Sequence, residues 1–298
     1  IPVGVNHDFD QGSLTLIHNA SSSALTTAQV NIFFHTTNSH NFMRQYLGPG
    51  TLPGIDIQIE AHANLAQSCN AFYNPSLQTI NFFQPGGSCV NTGYSTVIAH
   101  EYGHFVVNRL GLAQQAFGEG YGDALAILQY PTQIVGENFG GVGSHIRNLG
   151  TANIQYPCYG EIHQCGQIVG GLWLDIKNEM QATLGDVVGL EETRLLFGKW
   201  SLLTMGGDSQ YHAVHPQTDD EILIADDDDG DISNGTPHRN ALCAALANHS
   251  IVCAPLVGLT GTFTGPLPEL VPVSQSHSVS FEIQNVNAEV NPNQVWLV

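Results

Sequence analysis

His100 and His104 stand four residues apart in Ile98-Ala99-His100-Glu101-Tyr102-Gly103-His104-Phe105-Val106. On a helix that spacing turns both imidazoles from one face toward a single ion. Glu101 lies one step round, placed to reach a water on that ion without binding the ion itself. This is a pattern for metal-assisted hydrolysis. A catalytic zinc ion takes three protein ligands and keeps a position open. The next carboxylate, Glu119 in Gly118-Glu119-Gly120-Tyr121-Gly122-Asp123, supplies the third. Asp123, one turn beyond Glu119, can accept a hydrogen bond from a ligating imidazole, that of His100, and so fix its tautomer. Direct ligation by Asp123 is the rival role. A helix that simply buried two histidines and a glutamate would leave costly unpaired polar atoms.

The elements that must hold these residues follow from the flanking pattern. Val97, Ile98, Ala99, Val106 and Val107 bury a helix over Thr92 to Leu110. A short loop leads to a second helix, which carries Glu119 and Asp123, runs through Gln129 and stops at Pro131. Gly120 and Gly122 keep that helix slim, so that it approaches the metal closely. Upstream, Thr26 to Leu47 reads as a helix without a clean apolar stripe, hence well buried, stopped by Gly48-Pro49-Gly50. Leu14 to Ile17 is a short strand candidate after an irregular arm at Ile1 to Gly12. Ile55, Ile57 and Ile59 alternate with polar residues, the period of a strand. Ala71-Phe72-Tyr73 and Thr79 to Phe83 read as two more strands. Asn70 and Ala71 precede the aromatic pair: they either hold a substrate added as an extra strand or belong to a plain hairpin stapled by Cys69 and Cys89.

In the second half, residues 131 to 160 read as loop, with His145, Arg147 and Tyr156 as polar candidates for lining a cleft. A buried helix starts near Gly166. His163 precedes it between Cys158 and Cys165, where it either donates to an oxyanion or is a surface histidine. A helical region spans Thr183 to Met205, and His212 and His215 are ordinary polar residues. The charge run Asp226, Asp227, Asp228, Asp229 and Asp231 offers hard oxygen ligands that suit calcium, or forms a solvated turn that caps the next helix. That helix takes Thr236 as N-cap, Pro237 as first residue, and runs to about Asn248. Beyond Cys253 the pattern turns to strands, at Ser278 to Ile283 and Val295 to Val298. The domains therefore read as an α/β lobe over 1–130 with the metal helix, a mainly helical lobe over 131–254 and a β-rich tail over 255–298.

The chain has 298 residues, with Lys and Arg numbering 7 against 26 Asp and Glu, and a net charge of −19. That charge argues against nucleic acid or an anionic membrane as partner. No run is long enough to span a membrane. Six cysteines fall as near neighbours, so sequential pairing (Cys69 with Cys89, Cys158 with Cys165, Cys243 with Cys253) is the simplest of fifteen connectivities, and it suits an oxidising, extracellular compartment. The sequence starts at Ile1 and reads as a mature, secreted monomer from which a leader and propeptide have been removed.

These residues carry a resemblance. His100-Glu101-Tyr102-Gly103-His104 with Asn108-Arg109-Leu110, then Gly118 to Asp123, resembles the paired motifs of thermolysin-like zinc metallopeptidases whose third ligand is a glutamate, and within them the fungalysin branch. Gln29 to Phe34 with His40-Asn41-Phe42 is similar to that family's early helix, but Asn41 stands where an aspartate is usual. Asn70-Ala71-Phe72-Tyr73 resembles its substrate-binding edge strand. Ile162-His163 with Ile168 and Leu172-Trp173 resembles the segment bearing its transition-state histidine. The likeness covers roughly residues 25 to 250. It implies an α+β fold of two lobes with the cleft between them, one catalytic zinc ion, and a general base at Glu101. It also implies an oxyanion donor at His163. The family's oxyanion-donating tyrosine has no counterpart from Phe105 to Gly118, which leaves Tyr156, Tyr159 and Tyr211 as substitutes. The expected reaction is cleavage of internal peptide bonds. An aminopeptidase, and a non-catalytic zinc-stabilised binding or structural protein, are the alternatives.

Overall fold

The computed structural model describes residues 22–48, 54–208, 212–253, 255–256, 258–263 and 281–286. The arm at Ile1 to Gly12, the strand at Leu14 to Ile17, the Pro49-Gly50 stop, Tyr211, and Val295 to Val298 lie outside them. Helix α1 (Ala24–Leu47) starts at Ser23, whose hydroxyl accepts from the Thr26 N–H while the Thr26 side chain closes the capping box. Its buried residues, Ala28, Ile32, Thr36, Ser39 and Met43, make one stripe. Val30, Phe33 and Phe34 are exposed, Phe33 by 76%. The helix is therefore not buried all round: it lies on α2, α5 and β1 with a single face.

A mixed sheet of three strands follows, in the order β1 (Glu60–Leu65), β3 (Thr79–Phe83), β2 (Ala71–Asn74). β1 runs parallel to β3 and β2 antiparallel to it. The strand expected at Ile55 to Ile59 begins five residues later. Asp56 is drawn to His40 and Arg44 of α1, at 3.0 and 3.5 Å, and Ile55 is buried. The alternating stretch thus serves as a turn under α1, and pairing starts at Glu60 opposite Thr79. Among the described residues β2 stands at the edge of the sheet, with one side of its backbone free to pair.

The metal helix is α2 (Ser95–Arg109) and its partner is α3 (Gln115–Gln129). A Cβ on Gly103 would lie 2.6 Å from the Gly122 Cα, so the two helices cross at a contact only glycine permits. Gly120 acts elsewhere: its missing Cβ admits the Gly166 carbonyl of α4 (Ile162–Leu184). α4 begins four residues before the expected start, because Glu161 caps it by accepting from the His163 and Gln164 N–H groups at 3.0 and 3.3 Å. α5 (Asp186–Leu203) folds back over α4, and Trp173, Phe197, Trp200, Phe117 and Tyr121 form a ring cluster in the core they share with α3.

β4 (Ile134–Val135) pairs with β5 (Arg147–Asn148) inside the segment expected to be loop. Helix α6 (Thr218–Asp226) was not legible in the sequence: its acidic first turn hides a buried face. Glu221 on that face accepts from Trp200, Thr204 and the Met205 N–H. α7 (Arg239–Asn248) starts after the expected Thr236–Pro237, because Asp226 takes the Thr236 hydroxyl and the His238 N–H for itself, at 2.6 and 2.7 Å. Disulfides join Cys69 to Cys89, Cys158 to Cys165 and Cys243 to Cys253, the sequential pairing. β6 (Gly258–Phe263) and β7 (Phe281–Val286) form an antiparallel pair in the tail. The first half thus carries a mixed-sheet lobe and the second a mainly helical one. No helix among the described residues is long and apolar enough to cross a membrane.

Candidate metal centre

His100, His104 and Glu119 converge from α2 and α3, each offering an atom within 4.8 Å of the others. Glu119 Oε2 lies 3.4 Å from His100 Nε2, and Oε1 lies 3.6 Å from His104 Nε2. The outer nitrogens are already committed. His100 Nδ1 donates to Asp123 Oδ1 at 2.9 Å. His104 Nδ1 donates to Gln114 Oε1 at 2.8 Å, and the Gln114 amide returns a hydrogen bond to the His104 carbonyl at 2.9 Å. Both rings therefore turn a lone pair on Nε2 inward. Glu119 Oε2 is buried without a hydrogen-bond partner. Three acceptors facing one another across a small gap fit a zinc ion and make poor company without a cation.

Asp123 is fully buried and sits behind His100 rather than among the inward-facing atoms. Arg147 of β5 holds it from the far side, with Nη2 donating to Oδ1 at 2.7 Å and Nε 2.6 Å from Oδ2. Burial alone would raise the Asp123 pKa, but Arg147 and His100 outweigh it and hold the carboxyl below its usual range. Burial likewise lowers His100, yet the carboxylates of Asp123 and Glu119 carry it up to about 10, so with no cation in the gap a proton on Nε2 takes its place. His104, buried next to that charge, falls to about 4. Burial would raise Glu119, but the close approach and charge of His100 bring it down to about 2. The carboxylates thus form a field that draws positive charge inward.

Glu101 is 6% exposed, and burial pushes its carboxyl up to about 7 despite the charge of His100. That places it near the operating range of a general base. The centre opens into a cleft of about 540 Å³ whose wall includes Asn70, Ala71, Phe72 and Tyr73 on one side and Arg147 and His163 on others. His163, on the first turn of α4, points its Nε2 to within 3.4 Å of Glu119 Oε1 while its Nδ1 is held by Glu161 at 2.5 Å. The Asn70 carbonyl is already used by the Thr92 hydroxyl, at 3.0 Å.

Other sequence candidates fall away from the cleft. The rings of Tyr156 and Tyr159 both pack against His212, and neither wall of the cleft contains them. Asp227, Asp228 and Asp229 bring oxygens within 4.8 Å of one another on the surface. Asp226 is buried against α7, and Asp231 accepts from Ser233. One residue of the centre had no expectation attached. Gln114 lies in the linking loop, where nothing in its spacing marks it. Tyr73, the last residue of the stretch that resembles a substrate-binding edge strand, lines the cleft, while its ring packs on Phe105 and its hydroxyl donates to Asn108 at 3.0 Å.

No protein-family model matches the sequence, and no curated protein matches it. Among solved structures the chain is similar to the precursor of protealysin, a metalloproteinase from Serratia proteamaculans. The TM-score is 0.57 at 13% identity, covering 80% of this chain and 82% of that one. At that identity the likeness is one of fold, a two-lobed architecture, and the reading of the metal centre rests on the residues of this chain.

Proposed function

We propose that the chain is a zinc-dependent endopeptidase of the thermolysin-like superfamily, nearest its fungalysin branch. The observation that carries this is the set of inward-facing Nε2 and carboxylate atoms on α2 and α3, with a buried Glu101 beside them and an edge strand along the cleft. His100, His104 and Glu119 would hold the ion. When bound, it supplies Lewis acidity for a water and for the scissile carbonyl. Asp123 and Gln114 keep the two imidazoles in the ligating tautomer. Glu101 takes the proton of the attacking water and passes it to the leaving nitrogen. His163, steadied by Glu161, donates to the oxygen that gains charge. The substrate backbone lies against the free edge of β2 near Asn70 and Ala71.

Cleavage of internal bonds is favoured over aminopeptidase action by the lining of the cleft. Among the described residues its carboxylates are Glu101 and Glu119, both committed to the centre, so no spare acid remains to hold a free amino terminus. The three disulfides support an extracellular site of action for a secreted enzyme. Calcium stays a proposal, narrowed to Asp227, Asp228 and Asp229.

Glu101→Gln tests the reading. It is expected to lower cleavage of a denatured protein by about 10³-fold or more while leaving one zinc ion bound per chain. Unchanged cleavage would end the catalytic reading, and a non-catalytic zinc protein would show no cleavage before or after the substitution. Peptides with blocked and free amino termini separate endopeptidase from aminopeptidase.

A further inference from the structure

We propose that the helical lobe binds a second divalent transition-metal ion, between His249 and Asp175. His249 follows the last residue of α7 and is 3% exposed. Its Nδ1 lies 2.9 Å from the Ile154 carbonyl, which can only accept, so the proton sits on Nδ1. In the neutral ring that leaves a lone pair on Nε2. This atom is shut away from solvent and has no hydrogen-bond partner. What it faces is another acceptor, Asp175 Oδ2 on α4, at 3.4 Å. An imidazole lone pair opposite a carboxylate is unfavourable unless something positive lies between them.

The first centre has the same local form. There too Nδ1 is held by an acceptor, and Nε2 meets a carboxylate oxygen at 3.4 Å for His100 and 3.6 Å for His104. Beside His249 and Asp175 a cavity of about 260 Å³ opens, walled by the loop Leu149 to Asn153 and by Asn248. It has room for the waters or loop carbonyls that complete a coordination shell. Asn248 steadies the carboxylate by donating to Asp175 Oδ2 at 3.0 Å. α4 makes room for the imidazole with Gly171, whose Cβ would lie 2.7 Å from His249 Cε1. A nitrogen donor beside a single carboxylate selects zinc, cobalt or nickel over calcium or magnesium. With two protein ligands the ion is held more weakly than at the three-ligand centre. Its occupancy ties the loop at 149–153 to α4 and to the end of α7.

Equilibrium dialysis of the whole chain against zinc, with the metal counted per chain, tests the site. Wild type is expected to take up two ions, the second more weakly, and Asp175→Ala and His249→Gln one each. A chain carrying both His100→Gln and His104→Gln is expected to keep the weaker ion and to lose it on adding Asp175→Ala. That arm stands even if the catalytic reading fails. Asp175 is partly exposed, so its variant decides the matter if His249→Gln does not fold. Equal zinc uptake by wild type and Asp175→Ala would overturn the proposal. So would a single ion in wild type, the result expected if His249 is instead protonated and paired directly with Asp175.

Discussion

At the crossing of α2 and α3, both imidazoles have a partner behind them. Asp123 and Gln114 hold the outer nitrogens of the two imidazoles, and Arg147 holds Asp123. At the turn over residues 226–231 the carboxylates are denser, yet most of their hydrogen bonds run to the turn itself. Asp227 accepts from the Gly230 N–H, Asp229 from Asp231 and Asn234, and Asp231 from Ser233. Asp226 is buried and used to start α7. A metal centre is thus marked by partners that leave inward lone pairs with nowhere else to go. The acidic turn satisfies most of its carboxylate oxygens from its own backbone and side chains, and leaves one, Asp227 Oδ1, buried without a partner.

The sharpest way to break this contrast is to remove one donor from each place. Glu119→Ala is expected to lose both the zinc and the activity, down to background, whereas Asp228→Ala leaves both unchanged; metal analysis and a cleavage assay read the two. Next comes the support behind a ligand. Gln114→Ala frees the His104 ring and is expected to weaken zinc binding about 10- to 100-fold, measured by competition with a chelator. If affinity does not change, the outer partners are not what defines the centre.

Stability should invert the ranking within the acidic turn. Asp226→Ala strands the Thr236 hydroxyl and the His238 N–H and ring, and is expected to cost about 2 to 3 kcal/mol in urea unfolding. Asp228→Ala stays within about 0.5 kcal/mol in calcium-free buffer. A calcium-dependent rise in melting temperature that Asp228→Ala abolishes is the test of the ion proposed there.

The smallest effect concerns a buried lysine that makes no ion pair among the described residues. Lys177 of α4 is 9% exposed, and burial lowers its pKa below the usual lysine value. The unfolded chain then holds that proton more tightly, so wild-type stability rises with pH between the folded and unfolded values. Lys177→Met is expected to stabilise by about 1 kcal/mol or less at neutral pH. The gain should shrink as pH climbs through that window, and a constant gain across it would remove the electrostatic cause.

What could be read without coordinates was local. His100 and His104 share a face because four residues make about one helical turn. Glu119 follows because the loop between α2 and α3 is short. The disulfides close loops of few residues, with sequence separations of 20, 7 and 10. The β2–β3 hairpin was legible from aromatic residues around Asn74-Pro75. The misreadings were of packing. The isoleucine alternation at Ile55 to Ile59 has strand period but, among the described residues, no strand beside it. Phe33 and Phe34 looked like core and are left outside because α1 has a partner on one face.

The sequence alone determined that His100 and His104 share one face, since hydrogen-bonded helix geometry spaces side chains without help from distant residues. Only the tertiary structure decided that Arg147 stands behind Asp123, that β2 is an edge, and that His249 meets Asp175. Those pairs are far apart along the chain, and they are brought together by the burial of apolar faces, which no spacing of polar residues encodes.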